Sequence, residues 1–373
     1  MIVSATYVCP VRGLATLSAP EPDTLLSAAR TAKGLGLDRL SLPVLEEALV
    51  QTARSRVRFL DGMVEALDRI SDSGLNCSLI GPASRILGLD WAPAYLVGAR
   101  RSPSAHPVFV DGDVRRLRPL DWWKDPSLVQ RRFKAFRELV SAVGGHPALS
   151  GWVVLDRAME RARPEPEAAD FLLRSFMAEI RERHEGGEIH LGLGWTELLS
   201  PELAQGLARL VDGIQMAGMD WELPALSAPT SLEEETLLAG YLSSMSHWLL
   251  RKPLAVEIGW GLLHGPGDPE RVQENLSRLR VEEIPGVHWV SLVDPQPGIR
   301  KDPPWGLRKG LAEGGLLDPR LDPKEHSEEW VGVLRSTEPR KANLDFIDIG
   351  EDEYLSDPRT HLPRFWQHYR ESI

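Results

Sequence analysis

Lys252-Pro253-Leu254-Ala255-Val256-Glu257-Ile258-Gly259 is the stretch that decides the fold. Its apolar run has the length of a strand, carries one carboxylate near its carboxyl end and stops at a glycine. A helix-patterned segment from Leu232 to Leu250 leads into it. A short, almost wholly apolar strand alternating with an amphipathic helix is the unit of a parallel sheet covered by helices. The unit recurs along the chain. Apolar runs at Val3 to Cys9, Leu37 to Pro43, Leu75 to Ile80, Leu149 to Leu155, Ile189 to Leu193, Gly213 to Ala217, Leu254 to Ile258 and Gly286 to Val293 read as strands. Helical patterns alternate with them: Asp23 to Gly34, Val57 to Ser73, Pro126 to Val143, Pro164 to His184, Pro201 to Leu210, Leu232 to Leu250, Pro269 to Val281 and Pro323 to Leu334.

Eight such units predict an α/β chain folded as a closed (β/α)8 TIM barrel over residues 1–337, with a C-terminal extension, 338–373. No Gly-x-Gly-x-x-Gly follows a strand, so an open dinucleotide-binding sheet is disfavoured. Pro82 to Lys124 reads as one long loop rich in Pro, Gly and Arg, of a length that is functional or carries small elements of its own.

Composition narrows the class of function. The 373 residues are 42% apolar and 26% charged, which excludes a disordered, collagen-like or coiled-coil chain. A net charge of −11 without a sustained basic run argues against nucleic acid or an anionic membrane as partner. Two cysteines, Cys9 and Cys77, make neither a disulfide framework nor a zinc site by themselves. The amino-terminal stretch lacks the pattern of a signal peptide, and no apolar run approaches the ~20 residues that cross a bilayer. A cytoplasmic protein without membrane insertion is expected.

Barrel chemistry sits at the carboxyl ends of the strands. Trp195, Trp221, Trp260 and Trp289 fall at or just past four successive strand ends, out of 12 tryptophans in the chain. An indole offers a flat apolar face and an N–H donor, which suits stacking on a sugar ring; it suits ordinary packing of a barrel mouth equally. Gln215 and Asp294 also end strands. No His-x-His or His-x-x-x-His pair supports a metal, no Gly-x-Ser-x-Gly elbow or phosphate loop occurs, and no strand ends in lysine. Neither metal nor cofactor is expected.

His146-Pro147-Ala148-Leu149-Ser150-Gly151-Trp152-Val153-Val154-Leu155-Asp156-Arg157 resembles the fourth strand of the barrel clan of retaining glycoside hydrolases, the cellulase, mannanase and β-galactosidase type. There the segment reads roughly His-Pro-x-Ile-x-Gly-Trp-x-Leu-x-Asn-Glu and its Glu is the general acid/base. Lys252 to Gly259 looks like that clan's seventh strand, whose Glu is the nucleophile. Gly286-Val287-His288-Trp289 with Asp294 looks like its eighth, and Gly315-Leu316-Leu317-Asp318 with Pro323-Lys324 like its closing segment. The resemblance runs from strand four to the last helix and reaches strands one to three by topology alone. It implies Glu257 as nucleophile and a β-linked glycan or glycoside as ligand.

One departure matters. Aligned on Trp152, Asp156 stands where the clan has Asn and Arg157 where it has the acid/base Glu. A retaining reaction needs two carboxyls about 5–5.5 Å apart, and a guanidinium gives up no proton in the working range. Asp156, Glu160, Glu197 and Asp294 are the nearby carboxyl candidates. Arg157 beside Glu257 would hold that carboxylate ionised, giving an inert, charge-paired mouth or a site for an anionic sugar or phosphate. Two functions follow: a glycosidase using Glu257 with Asp156 or Glu160 as displaced acid, or a silent barrel that binds carbohydrate or serves as an assembly scaffold. In the extension, Leu344 to Ile349 alternates like an edge strand or clamp and Leu362 to Tyr369 reads as a short aromatic helix. It packs back on the barrel or docks on a protein partner.

Overall fold

Eight parallel strands close on themselves in the order β1-β13-β12-β11-β10-β9-β3-β2 in the computed structural model of the chain. They are β1 (Ile2–Thr6), β2 (Arg39–Leu45), β3 (Asn76–Ala83), β9 (Leu149–Val154), β10 (Glu188–Gly194), β11 (Gly213–Ala217), β12 (Leu254–Ile258) and β13 (Gly286–Trp289). Residues 1–12, 21–50, 52–83, 85–98, 106–157, 164–217, 226–227, 229–259, 267–279, 284–307, 310–338 and 340–373 are described. The (β/α)8 reading is correct. Each apolar run is a strand, and helices cover the outside of the barrel.

Strand periodicity divides the side chains into two sets. One alternate set, including Val3, Ala5, Leu40, Leu79, Trp152, Val154, Leu191, Ile214, Val256 and Val287, packs outward in one core with Leu25, Phe59, Phe136, Phe176, Tyr241 and Trp330 of the surrounding helices. The other set lines the barrel and is mostly polar or small. There Ser41 and Ser78 share a 2.7 Å hydrogen bond, Arg39 pairs with Glu188 at 2.9 Å, and Gly151, Gly192, Gly213 and Gly286 leave room. His288 is wholly buried between Ser4 (2.9 Å from Nδ1) and Thr6 (2.6 Å from Nε2). The Ser4 hydroxyl donates to the Val287 carbonyl at 3.4 Å, so it accepts from Nδ1–H while Thr6 donates to Nε2. Burial pushes the imidazole pKa down to about 3, so the ring is a neutral strut inside the barrel.

The long loop expected between Pro82 and Lys124 is a small sheet of five short strands, β4 (Arg85–Ile86), β5 (Leu89–Trp91), β6 (Val97–Gly98), β7 (His106–Val110) and β8 (Asp113–Pro119). Its Ile86, Leu87, Leu89 and Trp91 join Trp305 and Leu311 over the inner ends of five barrel strands, at Val8, Leu45, Ile80, Val153 and Val290. This apolar plug sits over β1, β2, β3, β9 and β13. Among the described residues, β10, β11 and β12 contribute nothing to it.

The extension packs on the barrel wall. Helices Glu351–Ser356 and Pro358–Glu371 bring Tyr354 and Phe365 into the main core, and the Tyr241 hydroxyl donates to the Leu362 carbonyl at 2.5 Å. The expected strand at Leu344 to Ile349 is instead an irregular turn, anchored by the buried ring of Phe346. No helix among the described residues is long and apolar enough to cross a membrane.

Candidate active site

Glu257 belongs to the inward set of β12, paired in register with His288, and is 7% exposed. The strand end beneath it is fixed by a residue that the sequence reading missed. Glu235, fully buried on helix Leu232–Leu250, accepts the Gly259 N–H at 3.0 Å. Gly259 has φ +109°, and a Cβ there would lie 2.9 Å from the Trp289 indole, so only glycine fits.

The strand-four end departs from a simple substitution of Glu by Arg. Strand β9 stops at Val154, and Leu155 and Arg157 both take left-handed backbone, φ 51° and 47°. Such conformations cost about 1–3 kcal/mol each for residues with a Cβ and gather at functional turns. Continued alternation would point Asp156 outward with Trp152 and Val154. The turn instead lays Asp156 over the inward position of Gly192, where an added Cβ would lie 2.7 Å from the Asp156 Cα. The Arg157 N–H donates to the Gly192 carbonyl at 3.0 Å and locks the turn. Gly192 pairs with Gln215, and Gln215 with Ala255 two residues before Glu257. Asp156, Gln215 and Glu257 therefore line one continuous arc of the inner wall, running from the end of β9 across β10 and β11 to β12.

Two guanidiniums attend Asp156. Arg157 Nε lies 3.6 Å from its Oδ1, and Arg85 reaches it from the small sheet with a backbone hydrogen bond. Arg85 is braced in turn by Asp90 at 3.4 Å, and Asp90 holds His106 Nε2 at 2.5 Å. Asp156 and Arg157 are each 6% exposed. Desolvation outweighs the two cations, so the Asp156 carboxyl titrates above the usual carboxylate range. Nothing in the sequence signalled Arg85 or Gly192 as parts of this wall.

The other expected site residues divide clearly. Gln215 is buried on the inner wall, and Glu197 is buried in the turn Trp195–Leu199 that follows β10. Trp195 and Trp289 end their strands but are 0% and 2% exposed, so neither presents a face to a sugar. Trp289 belongs to the outward set: its ring stacks on Trp330 at 5.5 Å and its N–H donates to the Gly314 carbonyl at 3.0 Å. Asp294 clasps the closing segment, taking the Gly315 N–H at 2.7 Å and the Lys324 ammonium at 2.6 Å. Glu160, Trp221 and Trp260 lie outside the described residues.

No protein-family model matches the sequence, and no curated protein matches it either. Solved structures do match. GH5_18 from Streptomyces cattleya in complex with GlcNAc has a TM-score of 0.74 at 17% identity, covering 100% of this chain and 92% of that chain. A Glu-to-Ala variant of GH5_18 from the same organism, in complex with Manβ1-4GlcNAc, has a TM-score of 0.68 at 17% identity, with 91% and 82% covered. The exo-β-1,4-mannosidase Op5Man5 from Opitutaceae bacterium strain TAV5 has a TM-score of 0.70 at 14% identity, covering 90% of this chain and 59% of that one. The chain thus shares the barrel fold of these glycoside hydrolases, the fold that the strand-four and strand-seven motifs implied.

Proposed function

We propose that this chain binds a β-linked glycan or glycoside at the carboxyl-end mouth of its barrel and hydrolyses it, with Glu257 as nucleophile and Asp156 as proton donor. The inward turn of Asp156 over Gly192 carries the proposal, because it delivers a carboxyl to the wall that holds Glu257. The likeness to barrels solved with GlcNAc and Manβ1-4GlcNAc supports the ligand class. In this reading a Glu257 oxygen attacks the anomeric carbon, the bond to the leaving oxygen breaks, and Asp156 gives that oxygen its proton. Asp156, now a carboxylate beside Arg157 and Arg85, then takes a proton from the water that displaces Glu257. Gln215 hydrogen-bonds the sugar. Trp221 and Trp260, which lie outside the described residues, remain the tryptophans proposed from the sequence for stacking on the sugar.

A raised pKa suits the donor role, since the acid must be protonated in the first step. Activity should therefore fall as pH rises through the Asp156 pKa, along an alkaline limb set above the ordinary carboxylate range. Leaving groups isolate this step. Asp156→Asn should slow hydrolysis of an unactivated phenyl β-glycoside by about 10²–10⁴-fold, the usual range for a general acid. The same variant should leave kcat/KM for the dinitrophenyl glycoside, which reports the first step alone, within a few-fold of wild type and abolish the alkaline limb, while its kcat falls because the second step loses its base. Equal losses on both substrates would remove Asp156 from the donor role. The Asp156–Arg157 ion pair favours a second reading, a carbohydrate-binding barrel without turnover. That reading stands if wild type binds β-linked oligosaccharides yet cleaves neither glycoside.

A further inference from the structure

A second pocket lies on the flank of the barrel, where the C-terminal extension crosses helix Leu232–Leu250. It is a cavity of about 290 Å³. Gly240, Ser244, Arg278, Arg340, Lys341 and Tyr369 are among the residues that line it. No Asp or Glu lines it. Arg278 is neutralised by Glu274 at 2.5 Å. Arg340 and Lys341 are exposed and form no ion pair among the described residues.

Tyr369 aims the site. Its ring is fixed against Phe346 at 5.2 Å and Tyr241 at 5.6 Å, and the residue is 6% exposed. Its hydroxyl makes no hydrogen bond among the described residues, and the fields of Arg278 and Arg340 reach it. The hydroxyl stands 2.8 Å from where a Gly240 Cβ would be, so a side chain there would displace it. An O–H held in place by its packed ring and without an acceptor among the described residues, in a pocket that Arg340 and Lys341 also line, suits an oxyanion.

We infer that this flank pocket binds a small organic molecule through a phosphate or carboxylate group. The anion accepts from the Tyr369 hydroxyl and lies between Arg340 and Lys341. A volume near 300 Å³ holds a ligand of about monosaccharide size. The site is independent of the barrel mouth.

Calorimetric titration of the full chain at low ionic strength tests this with glycerol 3-phosphate and glucuronate, against uncharged glycerol and glucose. Saturable 1:1 binding of one of the two anions, absent for the neutral controls, is expected, and the anion that binds identifies the group. The double variant Arg340→Gln/Lys341→Gln, at two exposed positions, should weaken Kd at least 10-fold. Tyr369→Phe, which keeps the ring, should weaken it about 5-fold. Anion binding unchanged in both variants would place the ligand elsewhere and overturn the inference. So would the failure of both anions to bind.

Discussion

Glu257→Gln should lower kcat/KM for an aryl β-glycoside by at least about 10³-fold, the scale on which loss of a nucleophile is felt. The side chain is nearly isosteric and the residue is 7% exposed, so the fold should survive and the urea midpoint should stay close to wild type. The loss is chemical: an amide does not form the glycosyl ester that splits the displacement into two steps. Glu257→Ala separates this from a structural effect. It opens space on the attacking face, and added azide should restore turnover of a dinitrophenyl glycoside by yielding the glycosyl azide of inverted configuration. Wild-type rates in Glu257→Gln would remove the residue from the chemistry.

The largest effect on stability is expected at the end of strand two. Glu46 is 3% exposed and receives Arg132 Nε at 2.7 Å and the Tyr95 hydroxyl. The Arg132 guanidinium also lies over the Trp122 ring at 4.1 Å, and Arg131 lies over Tyr95 at 3.8 Å. One carboxylate thereby ties β2, the small-sheet insertion and the helix Pro126–Val143 together. Glu46→Ala leaves a buried guanidinium and a phenol without their acceptor, which costs about 3–5 kcal/mol for a desolvated pair. Urea unfolding should show that loss. The apolar double replacement Glu46→Leu/Arg132→Met should recover more than half of it, because the desolvated charges are then gone. A loss below about 1 kcal/mol in Glu46→Ala would mean that water reaches the pair.

What the sequence made legible follows from periodicity. Apolar runs such as Leu254 to Ile258 announce buried parallel strands, and Glu257 stands out as the polar member of one. The same alternation carried information about the tryptophans. Trp152 and Trp289 share the outward parity of Val154 and Val287, which consigns them to the helix layer. Clustering at strand ends suggested a rim, whereas parity decides between rim and core. The small sheet was hidden because its strands are short and mix Arg and Pro with few apolar residues, at Arg115-Arg116-Leu117-Arg118 above all. Leu155 was unreadable for another reason: leucine favours neither left-handed backbone nor turns. The close packing on Gly192 and the hydrogen bond from the Arg157 N–H, which help to hold the turn, are contacts between strands far apart in sequence. Glu235 looked like the third acid of a solvated helix start, Glu233-Glu234-Glu235, yet it alone of the three is wholly buried.

The inward turn at Leu155 changes what Arg157 signifies. By alignment it displaces the acid; in the fold it is the residue whose N–H pins the turn that presents Asp156. In the proposed reaction, hydrolysis depends on two carboxyls delivered by different devices, a regular strand end for Glu257 and a left-handed turn for Asp156.

The most direct measurement is covalent trapping. Incubation of wild type with a 2-deoxy-2-fluoro β-glycoside bearing a dinitrophenyl leaving group forms the glycosyl ester without help from an acid and slows its hydrolysis. Mass spectrometry of the digested protein should find one added fluorosugar on the peptide that contains Glu257, and none in Glu257→Gln. A label on another carboxylate, or no label despite turnover of the unfluorinated glycoside, would contradict the account.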